Sequence, residues 1–326
     1  MLTLTKRTRL AAAAVGCALA LAACGSDDDT TTTGTPTESE GAEGGDLSGE
    51  IQIDGSSTVA PLSEAAAELF QEENPGVRVV VGTSGTGGGF EKFCAGETDI
   101  SDASRPIKDE EAAICETNSI KFEEISVAND GLAVVVNPEN DWATCLTVEQ
   151  LNMIWGPDST VASWSEVDPS FPDEPLNLFG AGTDSGTFDY FTEEINGEGG
   201  AIRTDYQPSE DDNVTVQGVQ GSKGAMGFFG LSYVEENEGA VKALEVDGGD
   251  GCVAPSTETV LDGSYKPLGR PLFIYPSSDT VARPEGLAFL QFYIENQAAI
   301  AEQALFVPLS EEQVTEAEEK IASLGG

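Results

Sequence analysis

Residues 82–105 read GTSGTGGGFEKFCAGETDISDASR, a glycine-rich turn that follows the β-branched run VRVVV at 77–81. The run predicts a buried strand, and Phe90 is expected to begin the helix behind the turn. Glycine lets backbone N–H groups approach a ligand closely, and a helix start presents unpaired donors with a partial positive charge. Ser84, Gly85 and Thr86 therefore predict a seat for an oxyanion, with a tight turn that binds nothing as the simpler alternative. A nucleotide phosphate is disfavoured because the stretch lacks the lysine of a P-loop.

The same strand–turn–helix arrangement occurs just before this stretch. Residues 50–54 (EIQID) alternate as a strand does, and residues 59–73 carry apolar side chains at helical spacing. Between them, Ser57 or Thr58 is the expected N-cap of the helix and offers a second set of donors. Such an alternation of strands and helices predicts an α/β fold, in which ligands bind beyond the carboxyl ends of the strands.

The rest of the chain is expected to continue this alternation. Strands are predicted at 99–103, 120–127, 132–137, 176–179, 225–231 and 268–275, helices at 108–116, 147–154, 188–195, 284–302 and 310–324, and loops at 157–175 and 217–223. A sharp turn is expected at 129–131 (NDG), where the chain would cross into a second domain. A third corner, GAGTDSGT at 180–187, again places hydroxyls and N–H groups before a helix. Three similar corners favour one anion gripped between two domains.

The charge balance excludes several classes of partner. The 326 residues include 58 Asp and Glu but only 15 Lys and Arg, which gives a formal net charge of −43. Such a surface repels nucleic acid and anionic lipid, so neither is expected as a partner. The surplus of carboxylates suggests life in high salt, where screening tolerates self-repulsion.

The N-terminus has the pattern of an exported lipoprotein. Basic residues precede a short apolar run within 1–23, which ends in the sequence LAAC, with Cys24 last. This pattern resembles the lipobox of bacterial lipoproteins and predicts cleavage before Cys24 and lipidation of its side chain; an ordinary signal peptide is the alternative. Residues 24–46, acidic and rich in Thr and Gly, are expected to form a disordered linker. The protein is therefore expected on the outer face of the cytoplasmic membrane, anchored by lipid.

Four cysteines remain for the exported body. They allow three pairings, of which we favour Cys94–Cys115, close in sequence, and Cys145–Cys252, which would link parts of a later domain. A metal site is disfavoured because the chain has no histidine and no C-x-x-C motif.

Four segments together resemble one known family: DGSSTVAPL at 54–62, GTSGTGGGFEKFCAGETDISDASRPI at 82–107, NDGLAVVVN at 129–137 and GTDSGTFDYF at 182–191. In order and spacing they resemble the substrate-binding lipoprotein of the phosphate-specific ABC importer. The resemblance implies a two-lobed periplasmic-binding-protein fold of type II, with mixed sheets flanked by helices and phosphate at the hinge. Lobe I is expected at 47–128 plus 263–326, and lobe II at 129–262.

The resemblance also implies which residues bind phosphate. Three phosphate-binding corners of the family have counterparts here, at 58–59, at Ser84 and at 185–187. With the neighbouring donors, the expected ligands are Ser57, Thr58, Val59, Ser84, Gly85, Thr86, Ser104, Arg105, Asp184, Ser185, Gly186 and Thr187.

Two positions depart from the best-known branch of the family. Arg105 stands where that branch has an aspartate, and Ala181 stands where it has an arginine. Arg105 is therefore expected to replace the arginine, and Asp184 to accept the proton of the phosphate; a surface ion pair and an N-cap are the respective alternatives. Asp102 and Asp130 are further candidates for the acceptor. Near neutral pH phosphate carries a proton that sulfate lacks, so a buried carboxylate would discriminate between them.

The predicted function is high-affinity binding of inorganic phosphate outside the cytoplasm and its delivery to the permease of an ABC importer. The protein is expected to be a monomer that closes its lobes around the anion, needs no cofactor and is not an enzyme. Binding of sulfate, molybdate or a phosphonate is the main alternative. An exported serine hydrolase is disfavoured because the chain offers no histidine as general base and no G-x-S-x-G motif.

Overall fold

The first half of the folded body follows the predicted alternation of strands and helices. The computed structural model describes residues 47–183 and 185–325, apart from the side chain of Glu235. The predicted signal peptide, Cys24 and the linker up to residue 46 lie outside the described residues, as does Asp184. The first elements are β1 Gly49–Gly55, α1 Ala60–Glu73, β2 Val77–Gly82, α2 Gly85–Cys94, β3 Ile100–Ala103 and α3 Asp109–Thr117.

Two helices begin at residues other than those predicted. The N-cap of α1 is Val59, so the prediction of Ser57 or Thr58 is wrong. The N–H groups of Val59 and Ala60 both donate to Ser56 O, at 3.2 and 3.0 Å, and this turn leads into the helix. Helix α2 begins at the glycine run and not at Phe90, so the prediction of Phe90 as its first residue is wrong. The glycines form its first turn, whose N–H groups have no partner within the helix.

The predicted turn at 129–131 is wrong, because one strand runs through it. This strand, β4, spans Ile125–Val136. A distant strand, β12 at Gly269–Pro276, pairs with it in antiparallel register from Ile125 to Gly131. The partner satisfies the backbone groups that an isolated Asn-Asp-Gly sequence would satisfy by turning, so tertiary pairing overrides the local preference.

The remaining elements are β5 Cys145–Thr147, α4 Val148–Trp155, α5 Trp164–Val167, β6 Asn177–Ala181, α6 Gly186–Asn196, β7 Gln207–Ser209, α7 Asp212–Gln220, β8 Ala225–Gly230, α8 Leu231–Glu236, β9 Lys242–Ala243, β10 Glu245–Asp247, β11 Cys252–Val253, α9 Thr257–Leu261, α10 Ser278–Val281, α11 Pro284–Glu295, α12 Gln297–Gln303 and α13 Glu311–Leu324. The predicted loop at 217–223 is wrong in its first part, which continues α7, and the loop at 157–175 contains α5. The predicted helix at 284–302 is interrupted at Asn296, whose amide donates to Phe292 O at 2.9 Å. Among the described residues, no helix is both long enough and apolar enough to cross a membrane.

Two hydrophobic cores flank the strands that connect them. Nine strands form a mixed sheet in the order β2-β1-β3-β12-β4-β8-β6-β7, with β9 paired to β4. One core draws on residues 51–128 and 272–321, and the other on residues 132–268 together with Val307. The chain passes between the cores at 129–131 in β4 and at 269–271 at the start of β12. The predicted two-lobed α/β fold with a mixed sheet is confirmed.

Both predicted disulfides are present. Cys94–Cys115 joins the ends of α2 and α3, where it packs with Phe90 and Phe93 in a small third core. Cys145–Cys252 joins β5 to β11 across 107 residues of sequence. Glu245 lies close to this second pair, but the two sulfurs are bonded to each other and are not thiolate ligands for a metal.

Candidate functional site

A polar cavity of about 360 Å³ lies where the two cores meet. From the first core's side it is lined by the β1–α1 and β2–α2 corners and the end of β3, from the other by α6 and the loop after it, and between them by β12. The lining residues are Ser56, Ser57, Thr58, Gly85, Thr86, Gly87, Ser104, Arg105, Asp189, Tyr190, Glu193, Gly199 and Arg270. The cavity therefore brings together six of the twelve predicted ligands: Ser57, Thr58, Gly85, Thr86, Ser104 and Arg105.

The first corner is fixed by close backbone packing against β3. Gly55 has a φ of 151°, and a Cβ there would lie 2.1 Å from Asp102 O, so only glycine fits. The next N–H, of Ser56, donates to the same carbonyl at 2.9 Å. Thr58 N–H then donates to Ser56 Oγ at 3.2 Å, which leaves the Ser57 and Thr58 side chains at the cavity. The predicted ligand Val59 does not line it: its side chain is in the core, and its N–H donates to Ser56 O at 3.2 Å.

The second corner presents the start of α2 to the cavity. Gly85 opens this helix with a φ of 78°, a left-handed conformation that favours glycine. Thr86 Oγ1 lies 3.1 Å from Ser104 Oγ and accepts the Ser104 N–H at 3.3 Å. This pair joins the second corner to the end of β3, so donors that are distant in sequence converge on one wall.

Ser84 faces away from this wall. Its N–H donates to Asp54 Oδ1 at 3.1 Å, and its hydroxyl donates to the same oxygen. Lys92 Nζ lies 2.6 Å from the other carboxylate oxygen. Burial would raise the pKa of Asp54, but the hydrogen bonds from Lys92 and Ser84 outweigh it and the pKa is lowered. In this structure, Ser84 holds the corner in place and does not line the cavity.

The third corner contacts the first directly. A Cβ at Gly186 would lie 2.7 Å from Thr58 Oγ1, so α6 begins against the Thr58 side chain. Ser185 is the N-cap of α6, and its Oγ accepts the Thr187 N–H at 3.2 Å. Ser185, Gly186 and Thr187 lie beside the cavity without lining it, whereas the next turns of α6 contribute Asp189, Tyr190 and Glu193.

Arg105 lines the cavity but already has a carboxylate partner. Its two terminal nitrogens donate to the two oxygens of Glu111, at 2.9 and 2.8 Å. Glu111 also accepts the Lys108 N–H at 2.9 Å and so caps α3. The hydrogen bonds that Arg105 donates to Glu111 raise the pKa of Arg105. Arg105 thus forms the ion pair that was the alternative to a ligand role, with 27% of its side chain exposed, and it lines the cavity as well.

Sequence reasoning missed Arg270. It lies in β12 opposite Asp130 in β4, and its Nη1 donates to Ser104 O at 3.1 Å. Its Nη2 lies 3.4 Å from Asp130 Oδ2, and its guanidinium carbon lies 3.4 Å from the centroid of the Tyr190 ring. One signal was available: an arginine inside the apolar strand LGRPLFIY needs a partner, because unpaired buried charge is expensive.

The carboxylates that could accept the proton of the phosphate occupy different environments. Asp102 and Asp130 are buried but do not line the cavity. Burial raises the pKa of Asp102 to about 7, and it raises the pKa of Asp130 although Arg270 opposes the shift. Asp189, which was also missed, does line the cavity, and its pKa is raised by burial and by Glu193. Carboxylates thus stand beside the donors of an anion site.

Comparisons with known proteins identify relatives of this chain. Residues 30–297 match a family described as a PBP superfamily domain. The chain is 47% identical over 268 residues to protein SphX of Synechocystis sp., covering 81% of this chain and 80% of that protein. It is 39% identical over 287 residues to the phosphate-binding protein PstS of Staphylococcus saprophyticus, covering 87% and 88%.

Solved structures show the same similarity. A possible phosphate binding protein from Planctomyces limnophilus superposes with a TM-score of 0.82 at 46% identity, covering 86% of this chain and 100% of that chain. An ABC-type phosphate transport receptor from Vibrio cholerae, at 24% identity, shares the fold with a TM-score of 0.66, covering 79% of this chain and 99% of that chain.

Proposed function

The chain belongs to the Pst phosphate-binding protein family, and on that premise we propose that it binds inorganic phosphate outside the cytoplasm and delivers it to the permease of an ABC importer. Members of this family are substrate-binding proteins. We propose that this chain likewise binds its ligand without catalysis.

The convergence of donors on one cavity carries the proposal. Ser57, Thr58, Thr86 and Ser104, from two corners and the end of β3, line a common space beside the start of a ten-residue helix. Such donors act at short range, which matters in a chain whose net charge of −43 repels anions at long range. The proposed donors at the cavity are Ser57, Thr58, Gly85, Thr86, Ser104 and Arg105. Lobe closure would add Ser185, Gly186 and Thr187, which lie beside the cavity.

We propose that a carboxylate sets the selectivity for phosphate over sulfate. The sequence motif favours Asp184 for this role, immediately before the N-cap Ser185. A protonated phosphate oxygen can donate to a carboxylate, whereas sulfate would meet it with unrelieved repulsion. Sulfate, molybdate and phosphonates are the competing ligands that this argument disfavours.

The cellular setting is part of the same proposal. Lobes at 47–128 plus 263–326 and at 129–262 would close around the anion, and the closed monomer would dock on the permease. Lipidation at Cys24 would hold it at the outer face of the membrane, with residues 25–46 as the tether. The LAAC sequence and the composition of the linker support this arrangement.

Calorimetry with phosphate and sulfate at one pH and ionic strength tests the proposed function. We expect one phosphate per chain and a sulfate affinity at least about 100-fold weaker, since unpaired buried polar groups discriminate strongly. Absence of phosphate binding, or equal affinities, would contradict the proposal. Thr58→Val and Thr83→Val form a matched pair, because each removes one hydroxyl, from a cavity residue and from an exposed neighbour respectively. Only the first should weaken binding.

A further inference from the structure

The two arginines of the cavity differ in how many of their donors are already used. Both terminal nitrogens of Arg105 donate to Glu111, which also neutralises the charge. Arg270 has one short hydrogen bond, from Nη1 to Ser104 O at 3.1 Å, and one long contact with Asp130 at 3.4 Å. Its Nε is buried and has no partner among the described residues. A guanidinium has five N–H donors, and each terminal nitrogen of Arg270 makes one contact among the described residues, so Arg270 has capacity for a further acceptor.

Arg270 is also held by contacts with Tyr190 and Ser104 at the place where an anion would sit between the lobes. Its guanidinium stacks on Tyr190 of α6, with 3.4 Å from Cζ to the ring centroid. On the other side of the cavity, its Nη1 donates to the carbonyl oxygen of Ser104, at the end of β3. A planar fork that is fixed in advance loses little entropy when it binds an oxyanion. The side chain therefore contacts residues from both sides of the cavity.

Arg270 lies in a strand that crosses between the two cores, whereas each of the three corners belongs to one core. It lies in the short segment 269–271, where the chain passes between the two cores, directly opposite Asp130 in the other crossing strand. Asp130 is buried and stands 3.4 Å away, so it anchors the guanidinium without occupying all its donors. An anion bound here would be attached to the hinge strands themselves.

We propose that Arg270 is the principal cationic ligand of the bound phosphate, and that it holds the anion at the crossing strands while the corners of the two lobes close on it. This inference rests on the proposed phosphate binding. It replaces the sequence-based assignment of that role to Arg105, which acts as a secondary group restrained by Glu111.

Calorimetric affinities of three variants test the inference. Arg270→Lys keeps the charge but loses the fork, and we expect about 10-fold weaker phosphate binding; Arg270→Ala should bind about 100-fold more weakly or worse. The control is Arg78→Ala, because this arginine is exposed and pairs with Glu50 away from the cavity, and it should retain the wild-type affinity. If Arg270→Ala fails to fold, Arg270→Lys carries the test alone. Phosphate affinity of Arg270→Lys within about 3-fold of wild type overturns the inference.

Proton–nitrogen NMR separates a ligand from a merely structural residue. The side-chain N–H signal that the wild type shows and Arg270→Lys lacks belongs to Nε of Arg270. In the wild type, this signal should shift when phosphate is added. A signal that stays fixed while phosphate binds elsewhere overturns the inference and leaves the proposed function intact. A wild-type protein that binds no phosphate overturns both.

Discussion

Asp54 Oδ1 accepts two hydrogen bonds from Ser84, one from its backbone N–H at 3.1 Å and one from its hydroxyl. The contact ties the end of β1 to the start of α2, and Lys92 completes it from the next turns of the helix. The serine that motif comparison assigns to the ligand thus stabilises the corner from behind, while its neighbours Gly85 and Thr86 line the cavity.

We expect Ser84→Ala to change stability more clearly than affinity. Loss of the hydroxyl bond to a carboxylate should lower the free energy of unfolding by about 1 kcal/mol, reduced from the buried value because Ser84 is exposed. Phosphate affinity should change by less than about 5-fold, since the backbone donors of the corner remain. Urea unfolding and calorimetry measure the two quantities. A loss of affinity above 10-fold without a stability change would mean that Ser84 turns to the anion on closure.

Glu111→Gln should strengthen phosphate binding. The carboxylate competes with the anion for both terminal nitrogens of Arg105, and a neutral amide releases that charge. Glutamine can still cap α3, so the helix should remain stable. We expect a gain of about 3-fold, the scale of a partly exposed ion pair. Glu110→Gln removes the same charge from an exposed neighbouring position and should leave the affinity unchanged. Equal gains in both variants would mean that the lower negative charge of the protein, and not the release of Arg105, strengthens binding.

Asp102→Asn should stabilise the protein at alkaline pH. The Asp102 carboxyl is fully buried, accepts from Ser63 Oγ at 2.9 Å and has an unpartnered Oδ2. Burial raises its pKa from 3.8 to about 7, with smaller contributions from Asp54 and Glu64. Because the folded state binds this proton more tightly, the group's contribution to stability is fully present below about pH 4 and is lost as pH rises through about 7.

Urea unfolding at pH 5 and pH 8 tests this prediction. The wild type should lose stability between the two values, and Asp102→Asn should lose less and be about 1–3 kcal/mol more stable than the wild type at pH 8. Asp158→Asn, at an exposed site, is the control for the loss of one negative charge. Identical pH profiles for Asp102→Asn and the wild type would show that this carboxyl does not titrate in that range.

The two disulfides should contribute unequally to stability. In the chain-entropy description, a crosslink over 107 residues stabilises by about 5 kcal/mol and one over 21 residues by about 3 kcal/mol. Replacing Cys145 and Cys252 together with serine should therefore lower the free energy of unfolding more than replacing Cys94 and Cys115. The reverse order would mean that packing of the small core around Phe90 and Phe93 outweighs the entropy of the loop.

Asp184→Asn should relax the discrimination against sulfate. If this carboxylate accepts the phosphate proton, the amide can donate to sulfate instead, and the ratio of the two dissociation constants should fall by at least about 10-fold. Asp189→Asn is the matched comparison, because Asp189 is a carboxylate that lines the cavity. Competition calorimetry gives both ratios. A fall for Asp189→Asn alone would transfer the role of acceptor to that residue.

Much of this protein is determined locally by its sequence. The β-branched run at 77–81 and the helices at 147–154 and 310–324 form as predicted, with Thr147 and Ser310 as N-caps, because strands and helix starts depend on neighbouring residues. The corners at 55–58 and 82–87 also join a strand to a helix, although both helices begin at residues other than those predicted. The predicted disulfides and the family resemblance rest on the same kind of linear information.

Tertiary structure decided the parts that depend on distant partners. The Asn-Asp-Gly sequence at 129–131 is extended and not turned, because β12 arrives beside it and satisfies its backbone groups. Arg270 reached the cavity and Ser104 from 166 residues away, whereas the ion-pair partner of Arg105, Glu111, is only six residues further along the chain. Local patterns carry no information about such encounters, since a guanidinium's role depends on which acceptors the fold brings within hydrogen-bond distance.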